Sequence, residues 1–512
     1  MLASLLSAAN FLWAGRETVA LGRAAFLNSI YMLIGNGGQM IASLGVFLYL
    51  ARVLSPADFG AMGVAAAIVD LLTVFARFGQ VEALLQRGAD DQAIRSTAFW
   101  GLTAIGLCCL VVIAALAKPL AAFTTTGVVA PVMIVLAAVP LIGNLGQVNE
   151  AIMRYEMRYR GIAIRNVVAT VGGAGAAAVL ATHGFGVYAL AAQKLVFTII
   201  YTLTVLIARP WLPSLRYLSS EARRLFSTGL DVTISNTLQM ANGRIVDLAI
   251  GFFLGVVALG QTRVAWRLYD FSLQLVIAPL SSVSYSLFAR VRDKHDEMKR
   301  SYLQYVEIIT LIAAPIFVGV SLLARDVMVL LAGQKWESSA GVLAVLSLSI
   351  LASCASLIFS PVMVATGQTR VVRRQAIIQT AANVALTLIA AQISVLAVVV
   401  MYLLRMYVFA LINVRLMNIS LGVTWREFVY RLRPILAGIV GLSAAGILTR
   451  TLLPETHEII RIFGVAAAGA AGYAFIIFAG DKLRLWPDYV QEFTTAARSI
   501  LRRKAPVQAE AC

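Results

Sequence analysis

Five cations of this chain stand inside apolar runs: Lys194, Arg244, Arg263, Arg267 and Arg405. Charge in hydrocarbon is costly, so such side chains face a bundle interior or a water-filled cavity. Arg263 and Arg267 lie one helical turn apart and share a face. Asp247 follows one turn after Arg244, and Asp270 stands three residues beyond Arg267. Guanidinium groups grip phosphate oxygens in pairs, so Arg244, Arg263 and Arg267 form a candidate cavity patch for an anionic substrate. The competing reading is internal neutralisation, Arg244 by Asp247 and Arg267 by Asp270, with Arg263 snorkelling to an interface. Asp70, Asp247 and Asp270 are candidates for ion pairing or ion coupling. Asn36, Gln39, Asn236 and Gln239 are a second polar set, whose amides either bridge helices or line the cavity and meet sugar hydroxyls. Glu150 and Glu307 read either as proton or cation sites or as helix ends.

Several of these residues belong to a duplication. Residues 34–70 and 234–270 align without a gap, with 11 identities in 37 positions, among them Asn36/Asn236, Gln39/Gln239, Gly60/Gly260 and Asp70/Asp270. Where the second copy has Arg244, Asp247, Arg263 and Arg267, the first has Leu44, Phe47, Gly63 and Ala67. Packing symmetry alone does not place cations on one copy only. Two equivalent halves in a membrane chain are the architecture of alternating-access transporters.

The chain has 512 residues, 60% hydrophobic and 13% charged, against about 25% charged in soluble domains. It is therefore read as an all-α integral membrane protein. Fourteen apolar runs are expected as transmembrane helices: 25–50, 59–82, 96–117, 127–149, 164–182, 186–208, 230–254, 257–288, 302–324, 340–366, 374–391, 393–416, 434–452 and 460–479. With the N-terminus inside, the inner segments hold 31 Lys and Arg and the outer ones six. That asymmetry sets the orientation, both termini cytoplasmic. The net charge of +17 is thus topological, a basic face against anionic lipid, and no nucleic-acid motif accompanies it.

Helices 1–6 and 7–12 are expected to form two parallel six-helix lobes, residues 25–208 and 230–417, joined by a cytoplasmic linker at 209–229. Two extra C-terminal helices fill 418–480. Residues 1–24 read as an amphipathic cytoplasmic segment and 481–512 as an interfacial tail. The four cysteines and three histidines show no ligand spacing, so no metal, cofactor or catalytic residue is expected. No nucleotide-binding or nucleophile motif is present, and no outer loop has room for an enzyme domain.

Four segments carry a family resemblance. LARVLSPADFGAMGVAAAIVD (50–70) contains a Leu-Ser-Pro-x-x-Phe-Gly turn, and RYEMRYR (154–160) is a basic, aromatic loop. Residues 284–336 end in Gly333-x-x-Trp336, and Ala-Thr-Gly-Gln follows at 365–368. Their order and spacing resemble the polysaccharide-biosynthesis flippases of the multidrug/oligosaccharidyl-lipid/polysaccharide exporter superfamily. The resemblance implies a bundle in the bacterial cytoplasmic membrane that moves an undecaprenyl-diphosphate-linked oligosaccharide outward, with membrane lipid, a polysaccharide polymerase and export proteins as partners. A drug/cation antiporter of the same superfamily is the alternative, as is a lipid II flippase. An antiporter should offer organic cations an anionic or aromatic site, whereas this chain offers arginine.

Overall fold

Helix signals in the sequence account for most of the backbone. The computed structural model describes residues 37–77, 84, 91–122, 126–156, 158–292, 294–453, 458–483 and 486. Of these, the side chains of 75–77, 226–239, 241, 278–283, 285–286 and 289 are outside the description. Among the described residues every regular element is helical. Ten helical stretches are long and apolar enough to cross a membrane, which makes this a multi-pass membrane protein. The expected segment 1–24 lies outside the described residues, as does 481–512 apart from 481–483 and 486.

Helix α1 is Gly37–Val53 and α2 is Pro56–Arg77. The turn between them explains the Leu-Ser-Pro-x-x-Phe-Gly pattern. Ser55 N–H donates to Asp58 Oδ2 (2.9 Å) and Asp58 N–H to Ser55 Oγ (3.3 Å), a reciprocal cap of the helix start. Pro56, which lacks an N–H, occupies the first helical position, and Phe59 is buried.

Helix α3 (Gln92–Ala121) is followed by three short helices, α4 (Val129–Leu136), α5 (Ala138–Leu145) and α6 (Gln147–Tyr155). They occupy the run expected as one span. The steps at Ala137 and Gly146 tighten to three-residue hydrogen bonds, Ala137 N–H to Ile134 O and Gly146 N–H to Gly143 O, both 3.3 Å. Such a switch bends a helix without ending it. Helices α7 (Tyr159–Thr182) and α8 (Val187–Ala208) form a hairpin. They approach so closely at Gly173 that a Cβ there would lie 2.7 Å from the Gln193 carbonyl oxygen.

The segment 209–218 is strapped onto the start of α3. Trp100 Nε1 donates to Ser214 O (2.9 Å), Gln92 Nε2 to Leu212 O (3.0 Å) and Leu218 N–H to Thr97 Oγ1 (3.1 Å). Helices α9 (Ser219–Phe253) and α10 (Val256–Arg290) follow, turning at Gly255 with φ +87°. Together with α1 and α16 (Thr369–Ala390) they are helical runs outside the ten apolar stretches. α1 is short as described, α9 carries charge in both its first turns and its middle, and the charges of α16 cluster at residues 370–374.

The chain divides into two compact units, one ending at Arg263 and the other beginning at Val264. In the first, α2 packs on α9 and crosses the opening turns of α10 at Gly60 and Gly260. The second unit is built on α11 (His295–Leu322), α12 (Ala324–Ala332), a 3-10 turn (Gln334–Ser339), and α13 (Ala340–Leu348), α14 (Ile350–Leu357) and α15 (Phe359–Ala365). After α16 come α17 (Val395–Leu421), α18 (Trp425–Leu452) and α19 (Glu458–Lys482). Ser394 separates α16 from α17 by accepting from Ala397 N–H (3.1 Å). Gly333 sits at φ +103°, where an L side chain is strained, and the Trp336 it introduces is fully buried. That accounts for the Gly-x-x-Trp pattern.

Candidate functional site

Two carboxylates draw the cations of the first unit into one chain of ion pairs. Asp70 lies on α2, Lys194 on α8, Arg244 and Asp247 on α9 and Arg263 on α10. Lys194 Nζ bonds Asp70 Oδ1. Arg244 Nη2 bonds Asp70 Oδ2 (2.6 Å) and its Nη1 bonds Asp247 Oδ2 (3.1 Å). Arg263 Nη1 reaches the same Asp247 oxygen (3.1 Å) and the Gly63 carbonyl (3.1 Å). The signs alternate along the chain, and three cations face two carboxylates, leaving an excess of one positive charge. The five side chains are 15–26% exposed, sheltered but within reach of water.

The repeat explains how Arg263 fits. Its counterpart in the first copy is Gly63, and the Arg263 stem runs through the space a side chain at 63 would take. A Cβ on Gly63 would lie 2.8 Å from Arg263 Cδ. Arg244 bridges both carboxylates because Asp247 is one turn along its own helix, while α2 delivers Asp70 from the side. At an effective dielectric of about 20, opposite charges 4 Å apart attract by about 4 kcal/mol. An oxyanion brought to these cations would have to exchange with Asp70 and Asp247 rather than fill empty valences.

Of the residues singled out in the sequence, Arg244, Arg263, Asp70 and Asp247 come together in this network. Arg267 and Asp270 are exposed and belong to the second unit. Gln39 is half-buried on α1. Asn36 lies outside the described residues, and Asn236 and Gln239 lie on α9 with side chains outside the description. Sequence reasoning left Lys194 out of the site. The signal was there: Asp70 needs a counter-ion, and Lys194 stands well inside an apolar run of the first half, whereas Arg77 and Arg165 lie toward the ends of theirs.

Glu150 lies in the first turn of α6, as a helix-end reading expects, whereas Glu307 lies in the middle of α11, and both are engaged. Glu150 is held by Arg154 (2.6 Å) and by buried Arg165 (3.1 Å), and accepts from Tyr201 Oη (2.7 Å). The Arg165 guanidinium also lies 3.8 Å from the Tyr201 ring centre. Glu307 pairs with Arg431 (3.3 Å). Among the described residues no cluster of His, Cys, Asp and Glu is arranged to hold a metal.

This architecture is shared with known transporters. The chain superposes on the lipid II flippase MurJ in an inward closed conformation with a TM-score of 0.72, at 14% identity, covering 89% of this chain and 100% of that one. An inward-facing multidrug resistance MATE family transporter of the MOP superfamily gives 0.61 at 17% identity, covering 75% and 94%. At such identities the likeness concerns the fold alone. In sequence, the succinoglycan biosynthesis transport protein ExoT of Rhizobium meliloti (strain 1021) is 26% identical over 341 residues, 65% of this chain and 68% of that protein. The lipopolysaccharide biosynthesis protein WzxC of Escherichia coli (strain K12) is 21% identical over 301 residues, 58% and 61%. Residues 49–341, more than half of the chain and including the whole ion network, match the family described as polysaccharide biosynthesis protein, and the chain belongs to that family.

Proposed function

We propose that this protein is a flippase that carries an undecaprenyl-diphosphate-linked oligosaccharide across the bacterial cytoplasmic membrane by alternating access, with both termini on the cytoplasmic side. The observation that carries the reading is the alternating chain Lys194–Asp70–Arg244–Asp247–Arg263, half-sheltered and one positive charge in excess. A diphosphate competes with the two carboxylates for Arg244 and Arg263, exchanging one set of charge-assisted hydrogen bonds for another. Carboxylates already in place keep the arginines oriented when no substrate is bound, so little rearrangement is needed on entry. Arg267 is assigned to the same anion, and the amides Asn36, Gln39, Asn236 and Gln239 to sugar hydroxyls. Residues 25–208 and 230–417 are the lobes that rock, with 418–480 outside them. The fold and family also support a transport rather than an enzymatic role.

Glycan rescue tests the reading. A host lacking its own flippase would receive the intact chain, Arg244→Ala or Arg263→Ala at equal membrane abundance. Restored surface polysaccharide with the intact chain, reduced at least about tenfold in either variant, is expected. Drug resistance without rescue would identify an antiporter, and rescue of a strain lacking its lipid II flippase would reassign the substrate.

A further inference from the structure

Among the described residues Arg405 is the buried cation of the second unit, and it is treated unlike the others. It lies mid-helix in α17 and is 5% exposed. Arg165, comparably buried in the first unit, has Glu150 as counter-ion. Among the described residues no carboxylate stands within ion-pair distance of Arg405. Its Nε has no hydrogen-bond partner, and its Nη2 reaches the Met406 sulfur at 3.9 Å, a weak acceptor.

One aromatic ring flanks this charge, and two more continue from it. The guanidinium lies 5.0 Å from the Tyr402 ring centre. Trp266 meets Tyr402 edge-on at 4.8 Å, and Tyr269 stands 6.0 Å from Trp266. A hydrogen bond between Tyr269 and Ser349 (2.7 Å) fixes that ring. Trp266 and Tyr402 are only half-buried, and Arg267 and Asp270 next to Trp266 are exposed, so the cluster reaches the surface of the unit. Aromatic faces receive the apolar face of a sugar ring, and a desolvated guanidinium receives an oxyanion.

We propose that Arg405, Tyr402, Trp266 and Tyr269 form an anion subsite for an oxyanion carried on a saccharide ring, separate from the ion network of the first unit. The carrier is a uronic acid carboxylate within the glycan, because the phosphate joined to the first sugar belongs to the diphosphate already given to Arg244 and Arg263. This assignment rests on the flippase reading for its choice of a saccharide ligand. Arg405 supplies the paired donors, half-buried Trp266 and Tyr402 supply the stacking surface, and fully buried Tyr269 holds Trp266 from behind.

Binding to the purified full-length protein in nanodiscs tests it, with three probes: a glucuronate-containing disaccharide, glucose 1-phosphate and a neutral disaccharide. The intact chain should bind the glucuronate probe about tenfold or more tightly than the neutral one, the worth of one charge-assisted hydrogen bond; a preference for glucose 1-phosphate alone would overturn the carboxylate assignment. Arg405→Met should erase that preference, and Tyr402→Leu should weaken all three probes together. Because a buried charge is removed and no partner is stranded, Arg405→Met should also raise the unfolding temperature. A preference that survives in Arg405→Met, equal binding of all three probes, or a lowered unfolding temperature would each overturn the subsite. Glycan rescue by an intact chain that shows no preference would remove the subsite and keep the flippase. A preference that depends on Arg405 in a chain that rescues no glycan would do the reverse.

Discussion

Gly60 and Gly260, equivalent positions in the two copies of the repeated segment, meet at a single helix crossing. A Cβ on Gly60 would lie 1.6 Å from the Val256 carbonyl oxygen, and one on Gly260 would lie 1.9 Å from that of Pro56. Pro56 and Val256 are themselves equivalent, so the contact is reciprocal, as at a local two-fold axis. The duplication thus persists as a packing relationship.

Neither glycine should accept a methyl group. Gly60→Ala and Gly260→Ala must separate two backbones, and overpacking of this kind costs about 1–3 kcal/mol or more. Thermal unfolding in detergent should show both variants well below the parent. Gly45→Ala, with nothing within 4 Å of its Cβ, should be neutral or stabilising by up to about 1 kcal/mol.

The Asp70–Arg244 pair should be strongly coupled. Asp70→Asn strands Lys194 as well as Arg244, and removing one partner of a buried pair costs about 3–5 kcal/mol. With side chains 15–26% exposed, the low end applies. Asp70→Asn combined with Arg244→Met should cost less than the sum of the single changes, by about 1–3 kcal/mol. A double-mutant cycle on unfolding free energies measures it, and additive values would deny the contact.

Glu150 and Glu307 should differ. Glu150 serves two arginines and a tyrosine, and its side chain and that of Arg165 are 4% and 3% exposed. Glu307 and Arg431 are 14% and 24% exposed. Glu150→Gln should therefore lose about 3 kcal/mol or more, and Glu307→Gln distinctly less. Equal losses of unfolding temperature would contradict this ordering.

Gly333 isolates backbone strain. Its φ of +103° is unsuited to L side chains, yet no atom lies within 4 Å of its Cβ position. Gly333→Ala should cost about 1–3 kcal/mol without any clash. Replacing it by D-alanine through semisynthesis should restore stability.

Much of the fold was written in the sequence. Apolar run lengths located the helices, because lipid leaves the backbone few alternatives, and the Leu-Ser-Pro-x-x-Phe-Gly pattern marked the turn between two of them. The bends at Ala137 and Gly146 left no mark, since apolar residues lie on both sides of a step that only shortens a hydrogen bond. Within the site, Asp247 beside Arg244 was readable from spacing along one helix. The bond from Arg244 to Asp70 was not, because it depends on the rotation of α2 against α9. Lys194 was overlooked for the same reason, its partner lying 124 residues away.

Those long separations impose an order on biogenesis. At about 5–20 residues per second, the ribosome needs roughly 6–25 s to add the 124 residues from Asp70 to Lys194, and about 9–35 s for the 174 to Arg244. Lys194 is thus available to neutralise Asp70 before the second copy of the segment is synthesised, and Arg244 then joins it on the other carboxylate oxygen. Nascent chains arrested at residue 240, with Lys194 emerged and Arg244 not yet made, should insert α2 poorly when Lys194 is changed to Met, whereas chains released well beyond Arg263 should recover; equal insertion at both lengths would argue against this order. The first unit is therefore a structure the ribosome cannot finish until it has begun the second copy.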